Sequence, residues 1–501
     1  MRVVILGGGT AGWMTAAGLR RGLRPEDYQV TLVESEDIGT VGVGEATLPH
    51  IKQFNDMLGL DEAHFMRATR STFKLGIEFR DWNHPGDAYL HPFGAFGEPW
   101  TGVEFQHHWL RARHSGLQSF PLQDFSYAVV AARGNTFEFP NEDRSSIRST
   151  YRYAYHFDAG LYAAYLRSWA TERGVLRIEG KVRDVSRNPT TGDLTELVLE
   201  SGQRIAGDLF VDCSGFRSLL LGAVLGVAWD DWSHWLPCDR ALAVPCAGSG
   251  ALTPYTRVTA REAGWIWRIP LQHRVGNGYV YSSRFISDEA ARDRLLAGLE
   301  SAALAEPRQL KFSPGRRVCA WAGNCVAIGL SSGFLEPLES TSIYLIQTAV
   351  ADLLSLMPSA ATARVDPRLS REFNRLSELQ YERIRDFLVL HYYANSRAGE
   401  PFWDYLRSMT VPETLEHKLS LFRSRALLPS YQHGLFSRDS WLAVLVGQGI
   451  EPRGYDPLAE ALSLDTVDDR LRDFRNRIAT NVAAMTDHGT FVAGYCGGET
   501  A

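Results

Sequence analysis

The segment Val3-Val4-Ile5-Leu6-Gly7-Gly8-Gly9-Thr10-Ala11-Gly12-Trp13, continued by small residues to Leu23, decides the fold. Four apolar residues predict a buried strand, the glycines a tight turn, and the run after them a helix. In that register G-x-G-x-x-G has a mechanism. Gly7 allows the turn, Gly9 lets a pyrophosphate come close to the backbone, and Gly12 lets helix and strand pack closely. Gly8, Thr10 and Ala11 complete a loop whose helix start offers free N–H groups and a partial positive charge to phosphates. A second apolar strand, Val30-Thr31-Leu32-Val33, ends in Glu34, 22 residues after Gly12, where a carboxylate accepts hydrogen bonds from ribose hydroxyls. A merely structural Gly-rich turn would leave strand, glycines, helix, strand and acid in register by chance. The segment is therefore read as a dinucleotide site.

The 501 residues are enough for a large core and two or three structural units, which need not be contiguous. A net charge of −6 gives no basic field, which argues against nucleic acid as a partner. Thirteen Trp and 24 Phe serve cores, and they also suit a pocket for a flat aromatic ligand. Cys213, Cys238, Cys246, Cys319, Cys325 and Cys496 form no C-x-x-C pair and have no metal-ligand spacing with His, so no metal and only scattered reduced thiols are expected. The first strand begins by residue 3, leaving no room for a signal peptide. No apolar run approaches the ~20 residues of a spanning helix. A soluble, cytoplasmic protein without membrane contact is the expectation, and a homodimer is compatible with it.

Further along, the glycine-punctuated Ile38–Thr47 contains Gly44-Glu45-Ala46 and reads as a loop, either lying along the cofactor or simply connecting. Helices are predicted over Ile51–Leu58 and Glu62–Thr69. Thr72–Phe79 alternates polar and apolar residues as a half-buried strand with Phe73, Leu75, Ile77 and Phe79 on one face. Periodicity alone makes Lys74 a solvated strand lysine. His91-Pro92-Phe93-Gly94 is a pocket wall or an ordinary turn. A helix is predicted over Leu161–Arg173, with strands at Leu176–Ile178 and Lys181–Val185. Val182 lies in a strand of the kind found beside the adenine in flavin folds. Gly207–Gly215 and Gly323–Leu330 are two more strands, the first ending in small and polar residues and the second in glycine, which places Leu330 at the cofactor edge. The second runs on into Leu335–Ile343, a helix start that puts Ile343 and free backbone N–H groups beside that edge. Trp265 and Trp267 share a strand face, which core packing alone would also explain.

Four segments together resemble the flavin-dependent halogenases of the tryptophan-halogenase-like family: Gly7–Trp13 (GGGTAGW), Gly42–Thr47 (GVGEAT), Trp265–Pro270 (the family's W-x-W-x-I-P) and Leu335–Ile343 (LEPLESTSI). TFKLGIEF around Lys74 matches as well. The resemblance is clear over residues 1 to about 350. It implies an α/β fold: an FAD-binding Rossmann-type, flavin-monooxygenase-like core over 1–350, discontinuous, with substrate-side strands at about 70–130 and 225–315 as an inserted β-sheet region. A mainly helical C-terminal region, 351–501, caps the substrate site.

The resemblance further implies that reduced FAD, delivered by a separate NAD(P)H-dependent flavin reductase, reacts with O₂ and chloride or bromide to give hypohalous acid. Lys74 matches the family's catalytic lysine, which receives the oxidant, and Glu339 matches its glutamate, which polarises it and takes the ring proton. Thr341 and Ser342 match the pair whose backbone N–H groups hold the halide; the family usually has Gly at the second position. Trp265 and Trp267 are implied to keep the flavin from oxygenating substrate directly, Glu45 belongs to the strap linking the two sites, and His91 and Phe93 match an aromatic substrate clamp. Members acting on free tryptophan carry a C-terminal acid and a Phe-Trp pair. His433–Trp441 does not show that arrangement in sequence, so indole or an indole-containing molecule, with bromide used, is the expected chemistry. A single-component FAD-dependent aromatic hydroxylase and a non-catalytic FAD-fold binding protein are the alternatives.

Overall fold

The computed structural model describes residues 1–38, 44–117, 120–248, 250–431 and 433–497. The chain divides into two compact units. The first comprises Met1–Ser71, Phe157–Arg240 and Leu310–Glu382; the second comprises Thr72–His156, Ala241–Gln309 and Arg383–Ala501.

In the first unit the strand Arg2–Leu6 lies between Gln29–Glu34 and Leu209–Asp212, parallel to both, with Val3 opposite Val30 on one side and Leu209 on the other. Leu176–Glu179 extends the sheet beyond Gln29–Glu34, and Cys325–Ala327 extends it beyond Leu209–Asp212. Val3, Val4 and Ile5 are buried, as a central parallel strand covered on both faces requires. The helix Thr10–Gly22 follows, and its small residues have a packing reason. A Cβ on Gly18 would come within 2.5 Å of Val350 Cγ1, and one on Gly22 within 2.7 Å of Leu354 Cδ2. Glycines there let the helix Thr341–Ser355 close against it.

In the second unit five consecutive strands run in the order Val275–Tyr281, Gly264–Pro270, Tyr255–Arg261, Gly76–Arg80, Ala88–Pro92. Only the pairing of Tyr255–Arg261 with Gly76–Arg80 is parallel in this run. A Cβ on Gly278 would lie 2.0 Å from Trp267 Cη2 and 2.4 Å from the Leu242 carbonyl oxygen. Gly278→Ala must therefore displace an indole or a backbone, and overpacking of this kind costs about 1–3 kcal/mol. A lowered urea midpoint is the expected result, and an unchanged one would mean that the sheet accommodates the methyl.

Several expectations change. Residues 72–79 are not one alternating strand. Thr72–Lys74 and Gly76–Arg80 are separated at Leu75, whose N–H donates to Pro254 O (2.7 Å) and whose carbonyl accepts from Phe93 N–H (2.8 Å). Both faces are covered, so Lys74 is buried, not solvated. Of the span 70–130 expected as strands, the part after Pro92 holds the helices Phe105–His114 and Tyr127–Arg133. The region from 351 is helical, but Pro367–Tyr393 contributes to the first unit up to Glu382 and to the second from Arg383. The loop read over Ile38–Thr47 contains the short strand Gly44–Ala46; Gly42 and Val43 of the GVGEAT segment lie outside the described residues.

Candidate active site

Three strand ends of the first unit converge. At the first, Gly7 has φ +117°, and a Cβ there would lie 2.2 Å from the Cys213 carbonyl oxygen; one on Gly12 would lie 1.8 Å from Gly7 O. Gly9, by contrast, has no atom within 4 Å of the position a Cβ would take, so its backbone is open to a ligand. Gly9 also caps the helix Thr10–Gly22 without a side-chain hydrogen bond, and no acid sits in the first turn. Its N–H groups suit a pyrophosphate. At the second end Asp212 accepts from Ser214 N (3.0 Å) and Oγ (2.6 Å) and from Leu220 N (2.8 Å) and Leu221 N (2.9 Å), fixing the turn Cys213-Ser214-Gly215. At the third, Gly329 (φ +74°) places Leu330 beside the same helix start, since a Cβ on Gly329 would meet Ala11 Cβ at 2.8 Å. Ser218 Oγ donates to Ser331 O (2.9 Å) and Ser331 Oγ to Gly215 O (3.2 Å), tying the second and third ends together.

Glu34 has partners that the sequence does not show. Its Oε1 accepts from Arg177 Nε at 2.6 Å, with Arg167 at 3.8 Å, while Oε2 sits where a Cβ on Gly8 would be. The carboxylate is thus held over the glycine turn by arginine, and Oε2 is the oxygen turned towards that turn. Val182 is half-buried at the start of Val182–Arg187, opposite Leu199. Glu45 is half-buried on Gly44–Ala46, and Ile343 is buried on its helix.

Pro337–Glu339 forms one 3₁₀ turn, and Ser340 (φ +59°) turns the chain into the helix Thr341–Ser355. Glu339 and Thr341 are fully buried, Ser342 half-buried. The helix start has no side-chain cap and no acid in its first turn. The Thr341 hydroxyl is buried without a hydrogen-bond partner among the described residues. An unspent buried donor at an uncapped helix start fits an anion.

The second unit gathers Lys74, His91 and Phe93. Lys74 is fully buried at the end of its strand, with Nζ 5.1 Å from the centre of the Phe93 ring. His91, also buried, stands 5.7 Å from the Phe387 ring and 6.2 Å from Phe436. Phe387 stacks on Phe436 at 3.8 Å and meets Trp441 edge-on at 4.9 Å. Lys418 Nζ, between the rings of Tyr431 (3.9 Å) and Trp441 (4.0 Å), holds the indole in place. Sequence reasoning missed Phe387, which carries no motif and is legible only as one apolar position of a long amphipathic helix.

The acid in this region is already committed. Asp439 accepts Phe96 N–H at 3.1 Å, and burial holds its carboxyl above the usual range. Trp265 donates its indole N–H to the Tyr392 hydroxyl (2.9 Å) and lies 6.1 Å from Trp267 on the same strand face. All six cysteines are free thiols. Among the described residues no acidic, Cys and His cluster would hold a metal, and no helix is long and apolar enough to cross a membrane.

A family model described as tryptophan halogenase matches residues 2–464. The chain is 37% identical to tryptophan 6-halogenase SttH of Streptomyces toxytricini over 477 residues, 89% of each chain. The structure superposes on BrvH, a flavin-dependent halogenase from Brevundimonas sp. BAL3, with TM-score 0.95, 45% identity and 99% of both chains covered. Xcc4156, a flavin-dependent halogenase from Xanthomonas campestris, gives TM-score 0.95 and 45% identity over 99% of this chain and 98% of that one. With a glycine cradle fit for FAD and matches over nearly its whole length, the chain belongs to the flavin-dependent halogenases of the tryptophan halogenase family.

Proposed function

We propose that this enzyme halogenates indole or an indole-containing molecule at its most electron-rich carbon, with bromide used at least as well as chloride. The observation that carries the substrate reading is the aromatic wall His91–Phe387–Phe436–Trp441, near which the acid Asp439 accepts the Phe96 backbone N–H with Oδ1. Flat apolar surfaces suit an indole ring, and the acid of that segment already has one oxygen on a backbone N–H. A site that pairs a charged end discriminates strongly; an apolar pocket does so by only about 1–3 kcal/mol per methylene.

The family takes reduced flavin from a separate reductase and uses O₂ and halide. When bound, reduced FAD supplies the electrons by which O₂ and halide become hypohalous acid. The cradle of Gly7, Gly8, Gly9, Thr10, Ala11 and Gly12 would hold its pyrophosphate, Glu34 Oε2 its ribose, and Val182, Leu330, Ile343 and Glu45 its flanks. Thr341 and Ser342 hold the halide with the N–H groups of the helix start, and the Thr341 hydroxyl adds a donor. Ser342 brings a Cβ and a second hydroxyl to that cradle, and bromide, which is oxidised more readily than chloride, is used at least as well. Lys74 receives the hypohalous acid in a site without water, and Glu339 stabilises the cationic ring and takes its proton. The Trp265 and Trp267 indoles act as spacers.

The test is competition between equal indole and tryptophan, with equal bromide and chloride, read by mass spectrometry. Brominated indole should dominate. Mainly chlorinated tryptophan would overturn the substrate and halide assignments together. A second expected result concerns the reductase: NADH alone should leave the flavin of the purified protein oxidised. Rapid bleaching without added reductase would contradict the two-component reading of this chain.

A further inference from the structure

Two buried histidines bracket the strand that carries Lys74. His156 pairs with Thr72 across the strands Ala154–Asp158 and Thr72–Lys74, and its ring sits between two threonine hydroxyls. Thr72 Oγ1 has one proton, which it donates to Pro270 O at 2.8 Å. Its oxygen therefore accepts from His156 Nδ1–H (3.0 Å), and Nε2 accepts the Thr256 hydroxyl proton (3.0 Å). The network fixes one neutral tautomer and ties the Lys74 strand to Tyr255–Arg261 and to the end of the strand bearing Trp265 and Trp267.

His488 does the same from the other side. Its Nδ1–H donates to Leu252 O at 2.5 Å, which leaves Nε2 to accept the backbone N–H of Phe73 at 3.2 Å. This histidine begins the helix His488–Gly497, beyond the residues the family model matches. Phe491 and Tyr495 of the same helix lie 5.7 and 5.9 Å from the Phe73 ring, on which Phe137 stacks at 4.0 Å. Both imidazoles are fully buried, and burial also holds them in the neutral form, His488 down to about 4.

We infer that His488 and His156 are positioning residues for Lys74, one gripping the peptide N–H just before it and the other the hydroxyl two residues before it, so that Nζ is held at the Phe93 face. Neither touches substrate or cofactor. Each satisfies a buried polar group that water cannot reach, and neither adds a second positive charge beside the ammonium. The assignment rests on the role given to Lys74 above.

The test supplies reduced FAD, bromide and indole to the full chain. It measures halogenated indole per O₂ consumed, free hypohalous acid with a soluble trap, and KM against kcat for indole. Displacing a reacting group by an ångström costs up to about 100-fold. His488→Leu should lower the product-to-O₂ ratio by about 10- to 100-fold, release trapped oxidant and leave the KM for indole unchanged. His488→Gln, whose Oε1 restores an acceptor for Phe73 N–H, should recover most of the ratio. Should His488→Leu not fold, Thr256→Val, which removes only the outer hydroxyl from His156, should show the same uncoupling to a smaller degree. A wild-type ratio in the folded variant tested, or a loss in His488→Leu that His488→Gln does not repair, would overturn the inference. Lys74→Met is run alongside. If it keeps full product, the role of Lys74 itself falls; if it loses product while the histidine variants stay coupled, only the positioning claim falls.

Discussion

Lys74→Met is expected to consume O₂ at the wild-type rate and to make halogenated product about 10²- to 10⁴-fold more slowly. In the proposed mechanism Lys74 acts only after the oxidant has formed, so oxidation of the flavin should not depend on it. Its ammonium is fully buried with an aromatic face 5.1 Å away. A buried cation is costly unless it is paired or hydrogen-bonded, and in the proposed mechanism a lysine so placed presents its nitrogen to an electrophilic halogen away from bulk water. Methionine keeps the length and apolar stem, so folding should survive better than with alanine. Product analysis and an oxygen electrode, run on one sample, provide the check. Near-wild-type product would remove Lys74 from the mechanism.

Glu339→Gln has the second large expected effect, again about 10²- to 10⁴-fold on product formation. The side chain is isosteric, so the 3₁₀ turn and the helix start after it should persist. In the proposed mechanism this removes the charge that stabilises the cationic ring and the base that takes its proton. With the base gone, proton loss becomes slow, and deuterium at the halogenated carbon should then slow the variant more than the wild type. A variant of normal rate, or one without an isotope effect, would assign the proton to another acceptor.

The parts of the site built from local chain were legible in sequence. Gly7–Gly12 form a cradle because strand, turn and helix are consecutive, and the helix start at Thr341 follows from its own residues. Lys74 was legible only through its motif. Alternation over Thr72–Phe79 predicts a solvated lysine, whereas the chain around it pairs with strands about 80 and 180 residues away and is buried. Phe387 and His488 belong to the same class of omission, since a lone apolar or imidazole side chain gains a role only from distant partners. Glu34 is a related case: its spacing is legible, but its ion pair with Arg177, 143 residues on, is not.

The most direct measurement gives the wild-type chain chemically reduced FAD, O₂, bromide and indole, with neither NADH nor reductase present. Monobrominated indole, dependent on bromide and absent without the protein, is the predicted result. Hydroxylated indole formed with or without halide, or no modified indole while O₂ is consumed, would contradict the account.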